Sequence, residues 1–86
     1  MDFQSHPRRV QVVVLERLDA EKRMSRYYVL SVEPSLFREA ALVREWGRVG
    51  RVGGRRIELH ASVQVARVEL EKWLIRKRRR GYVLRA

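Results

Sequence analysis

Two apolar periods run along this chain, a near-alternating one up to His60 and a three-to-four-residue one after Ser62. Val10 to Leu18 is crowded with valine, whose branched β-carbon suits extended backbone, and predicts a strand. Asp19-Ala20-Glu21-Lys22 is a polar turn. From Arg26 to Glu33 the pattern alternates: Tyr28, Leu30 and Val32 point one way, and Tyr27, Val29, Ser31 and Glu33 the other. One of the two tyrosines is therefore expected in the core and the other exposed. Pro34-Ser35 breaks the run. Leu36 to Leu42 fits either a short helix opened by Pro34 or the approach to another strand. The strand is preferred, regular from about Ala40 to Trp46. Gly47, Gly50, Gly53 and Gly54 then mark a turn, and Arg55 to His60 alternates again with Ile57 and Leu59 on one face. That spacing predicts a hairpin whose tip carries the glycines.

Ser62 is a good helix N-cap, because its hydroxyl can accept a free amide of the first turn. Val63, Ala66, Leu70, Trp73 and Leu74 form one helical stripe, with Arg67, Glu71 and Arg78 opposite. Gly81 suits the left-handed position after a helix, and basic residues from Arg76 to Arg80 suit the negative end of its dipole. Tyr82-Val83-Leu84 is available for a last short strand. The expected fold class is α+β: an antiparallel sheet of four to five strands with one C-terminal helix packed across it. Residues 1–9 are expected to be an N-terminal tail and residues 10–86 a single domain.

Length and composition narrow the chemistry. A chain of 86 residues has one core and no room for a deep catalytic cleft. There is no cysteine, so neither a disulfide framework nor a cysteine-based zinc site is available. The start lacks the apolar segment of a signal peptide, and no apolar run approaches a membrane span. The expectation is a soluble, cytoplasmic protein. Charge changes the picture more: the net charge is +10. Residues 1–43 hold seven basic and six acidic side chains, whereas residues 44–86 hold thirteen basic and four acidic ones. Arginine dominates, and its planar fork matches phosphate oxygens. A polyanion is the expected partner.

The segment Trp46-Gly47-Arg48-Val49-Gly50 is distinctive. With the aromatic strand Arg26-Tyr27-Tyr28 before it, and Ala66, Leu70, Leu74, Lys77 and Gly81-Tyr82 after it, the chain resembles the WGR domain family from about Val10 to Val83. Such domains occur in DNA-damage-dependent poly(ADP-ribose) polymerases, in bacterial proteins resembling the molybdate-metabolism regulator, and as stand-alone bacterial proteins, the kind this chain is most similar to. Gly54 stands where the family often has a polar residue, and Arg78-Arg79-Arg80 where it has a Thr-Gly-Asn-like linker. The resemblance implies an antiparallel sheet with a single helix and a module without catalytic role. It also implies binding of nucleic acid, with the tryptophan packed on sugar and the arginine near the backbone.

The residues support the same surface. Alternate strand positions share a face, so Arg44, Trp46 and, if the strand runs that far, Arg48 stand in line, with Arg51, Arg55 and Arg56 beyond them on the hairpin. An aromatic ring between guanidinium groups can stack on a base or sugar while the cations take phosphates. Lys77, Arg78, Arg79 and Arg80 at the helix end complete the candidate nucleic-acid-binding set. Each residue also has a plainer role: Trp46 as hairpin packing, Arg48 as a donor to turn carbonyls, Trp73 as core. No metal site or cofactor is expected, because His6 and His60 have no ligating partners at metal spacing. No nucleophile elbow or triad order is visible, so no enzyme is expected. The alternatives are a protein-interaction module using an open sheet edge, and, more remotely, attachment to anionic lipid through the helix end.

Overall fold

A computed structural model describes residues 9–35 and 37–85 of the chain. Of the expected tail, only Arg9 lies among the described residues, and its guanidinium stands 3.6 Å from Glu33. Five strands and one helix follow in the order β1 (Gln11–Asp19), β2 (Met24–Pro34), β3 (Ala40–Arg48), β4 (Gly54–His60), α1 (Val63–Arg79) and β5 (Val83–Leu84). The strands form one antiparallel sheet in the order β4-β3-β2-β1-β5.

Register explains where the core lies. Leu15 faces Tyr28, Tyr28 faces Trp46, and Trp46 faces Gly54 across successive strands. Because side chains alternate, that parity brings Val13, Leu15, Tyr28, Leu30, Val32, Ala40 and Leu42 onto one face. Helix α1 covers this face with Ala66 and Leu70, both fully buried, and with Val63, Trp73 and Leu74 packed alongside. The predicted helical stripe is the buried one. Ser62 caps the helix by accepting the Val65 amide at 3.2 Å. At the other end the Tyr82 and Gly81 amides donate to the Lys77 and Arg78 carbonyls, and Gly81 takes a φ of +96°. This closure turns the chain sharply and returns it to the sheet, where β5 pairs with the edge of β1.

Among the described residues no helix covers the second sheet face. It carries Val12, Val14, Val29, Val43, Ile57 and Leu59, of which Ile57 and Leu59 are 54% and 63% exposed. Several element ends differ from the sequence pattern by one or two residues, the largest shifts being at the start of β2 and the end of β3. Strand β2 begins at Met24, because the β1–β2 turn is tight and Met24 already pairs with Asp19. Strand β3 continues to Arg48, which pairs with Arg26. In both cases cross-strand pairing, which a one-dimensional pattern does not contain, sets the boundary. Tyr28 is the core tyrosine at 3% exposure; Tyr27 is half-buried where an exposed ring was expected, because it lies against Gly47 and Gly53.

Candidate nucleic-acid interface

At one end of the helix-covered face the helix stops short of the sheet, and a cleft of about 380 Å³ opens there. Strand β3 and the β3–β4 loop supply Trp46, Arg48 and Arg51; strand β2 supplies Arg26 and Tyr28; the helix end supplies Lys77 and Tyr82. Four cations and three aromatic rings thus line it, with no carboxylate among the lining residues.

The aromatic floor is held from several sides. Trp46 and Tyr28 stack with ring centres 5.9 Å apart and planes 15° apart, while Tyr82 meets Tyr28 edge-on at 6.0 Å. Gly54 lies against the indole: a β-carbon there would stand 2.6 Å from Trp46 ring atoms. Beneath the floor sits Arg44. Its Nη1 donates to the Tyr28 hydroxyl at 3.0 Å, its Nη2 lies 3.7 Å from Glu58, and its guanidinium lies 3.9 Å from the Trp73 ring centre and 5.7 Å from that of Trp46. Trp73 also receives Arg76 at 4.3 Å. The negative face of the indole attracts both cations, which offsets part of their mutual repulsion.

Lys77 reaches over the Tyr28 ring at 4.4 Å. Desolvation by burial lowers its pKa below 10.5, and Arg80, Arg44 and Arg76 lower it further by repulsion. Such a lysine works against the fold while it is charged, a cost relieved as pH rises through the lowered value toward 10.5. The fold holds this ammonium in a cationic neighbourhood where an incoming anion would relieve the repulsion.

The sequence-derived residues divide. Trp46, Arg48, Arg51 and Lys77 meet in the cleft. Arg44 shares their face, as alternation requires, but is 8% exposed and occupied by Tyr28, Glu58 and Trp73, so its place is under the floor. Its Nε finds no hydrogen-bond acceptor among the described residues. Arg55 lies on the opposite sheet face, 3.4 Å from Glu45. Arg56 is exposed on the helix-covered side, with its Nε 3.9 Å from Glu58, away from the cleft lining. Arg78, Arg79 and Arg80 are exposed at the helix end, outside the lining. Sequence reasoning missed Arg26, Tyr28 and Tyr82. Arg26 had a signal, since it shares parity with Tyr28, but only the register shows it directly opposite Arg48. Like charges paired across strands oppose pairing, which an anion between them would reverse.

Among the described residues no group of three or more metal-ligating side chains gathers, and no helix is long and apolar enough to cross a membrane. A family model for the WGR domain matches residues 11–86. The uncharacterized protein y4dW of Sinorhizobium fredii is 43% identical over 79 residues, covering 91% of this chain and 37% of that protein. The chain thus spans little more than a third of that relative. No solved structure gives a significant match.

Proposed function

The chain belongs to the WGR domain family, and from that premise we propose that it is a non-catalytic nucleic-acid-binding module that holds a strand, DNA before RNA, in the cleft between the Trp46 hairpin and the basic helix end. One observation carries the reading: four cations and three aromatic rings line a single open cleft with no carboxylate among them. Stacking surfaces take sugars or bases, and the cations around them take phosphates. Lys77 from the helix end and Arg48 from strand β3 both line the cleft and take phosphates there, while Arg78, Arg79 and Arg80 add long-range attraction without a fixed contact.

Fluorescence anisotropy with single-stranded, blunt, nicked and 5′-phosphorylated DNA tests this. If four to six phosphates are engaged, log K falls against log salt with a slope of about −4 to −5 on duplex DNA and about −3 to −4 on a single strand. Trp46→Ala is expected to remove one stack, about 1–3 kcal/mol, while Arg79→Ala lowers the slope by less than the roughly 0.9 of a lost phosphate contact and weakens all four DNAs alike. Absence of binding to every one of these DNAs at low salt ends the reading.

A protein-interaction role is the second reading, favoured by the uncovered sheet face with Ile57 and Leu59 exposed. A partner that survives nuclease treatment and is lost in Leu59→Asp, but not in Trp46→Ala, would support it.

A further inference from the structure

The wall that carries Arg48 and Arg51 has another side. There the β1–β2 turn and the β3–β4 loop enclose a second pocket of about 290 Å³, lined by Lys22, Arg23, Met24, Ser25, Arg48, Val49 and Arg51. Arg48 and Arg51 line both spaces, so the two clefts meet across them. The Val49 amide ties the loops together by donating to the Ser25 carbonyl at 2.9 Å, and within the β3–β4 loop the Arg51 amide donates to the Arg48 carbonyl at 3.1 Å. The turn is closed in its own right, with Asp19 accepting the Lys22 amide at 3.2 Å and Ala20 accepting the Arg23 amide at 3.3 Å. Asp19 Oδ1 is thus turned to the backbone of the turn, and neither Asp19 nor Glu21 is among the residues that line the pocket.

Two observations point to an anion. The lining holds four cations and no carboxylate. In addition, Arg23 sits at a φ of +52°, a left-handed conformation that glycine or asparagine adopts with less strain. An arginine here works against the turn and contributes a guanidinium to the pocket. The pocket also has no aromatic ring, in contrast to its neighbour, so it suits phosphate and not a base.

We propose that Lys22 and Arg23, together with Arg48 and Arg51, form a second phosphate subsite that carries the backbone of a nucleic-acid strand onward from the aromatic cleft. This rests on the nucleic-acid reading of that cleft. It makes the contact a track of adjoining subsites, the first stacking and ionic, the second ionic only. A ligand of two nucleotides fills the first; a longer strand fills both.

The experiment compares wild-type protein, Arg23→Gly, Lys22→Ala/Arg23→Gly and Trp46→Ala with two ligands: a twelve-nucleotide single strand, followed by anisotropy, and a 5′-phosphorylated dinucleotide, followed by backbone-amide NMR shifts. Arg23→Gly is expected to keep or raise the melting temperature, because glycine relieves the turn, and still to weaken the twelve-mer several-fold. The double variant is expected to weaken the twelve-mer about tenfold at low salt, to reduce the salt slope by about 1.4, and to leave dinucleotide binding unchanged. Trp46→Ala weakens both ligands. Unchanged twelve-mer affinity and slope in the double variant, with Trp46→Ala still impaired, overturns the subsite and leaves the cleft reading intact. Equal weakening of both ligands in the double variant also overturns it. Failure of wild-type protein to bind either ligand overturns both proposals together.

Discussion

Arg44 shows most directly how this molecule uses its charge. A guanidinium at 8% exposure is held by a hydroxyl, a carboxylate and the face of Trp73. Removing it leaves Glu58 without its nearest buried partner, the Tyr28 hydroxyl without its donor, and a void under the Trp46–Tyr28 stack. Arg44→Ala is expected to cost about 2–4 kcal/mol in urea unfolding. Arg44→Lys is expected to recover less than half of that, because an ammonium lacks the planar fork that stacks and donates at once. A neutral Arg44→Ala would show that the stack stands without it. From sequence alone Arg44 was legible as a neighbour of Trp46 and Arg48, but not as a buried one. Alternation assigns a face, and only the path of α1 decides how much of that face is roofed.

At the scale of elements, the β3–β4 hairpin positions the cleft through close approach. A β-carbon on Gly54 meets indole atoms at 2.6 Å, whereas one on Gly53 meets the Trp46 carbonyl oxygen at 2.0 Å. A side chain can swing aside and backbone cannot. Gly54→Ala is therefore expected to keep the fold but tilt Trp46, changing its indole NMR environment and weakening the DNA binding proposed for the cleft. Gly53→Ala is expected to lower the melting temperature by clearly more than Gly54→Ala does. Equal melting temperatures for the two variants would contradict this ranking. The helix plays the complementary part: its N-cap at Ser62 and the turn at Gly81 fix where Lys77 and Tyr82 stand, and both signals were readable in the sequence. The junction between helix end and hairpin was not readable, since residues 46–54 and 77–82 are far apart in the chain and meet only through the sheet.

The whole molecule carries a net charge of +10 on 86 residues. Self-repulsion among those charges opposes folding, and salt screens it. Raising salt from about 50 to about 500 mM is thus expected to lift the melting temperature, the opposite of its effect on the proposed DNA binding. A melting temperature that falls with salt would mean that ion pairs such as Arg55–Glu45 and Arg85–Glu16 outweigh the repulsion.

Local pattern determined the kind of elements, their order, the buried stripe of α1, the shared face of Arg44, Trp46 and Arg48, and the absence of cysteine chemistry. Those properties depend on side-chain period and on residue type, both written along the chain. Tertiary structure decided which cations are free. Arg44 went under the aromatic floor, Arg55 to the far face and Arg56 beside Glu58, while Arg26 and Lys77 joined Arg48 and Arg51 in the cleft. The reason is register and roofing: a charge binds a ligand only where pairing brings it to an opening and no carboxylate or helix reaches it first.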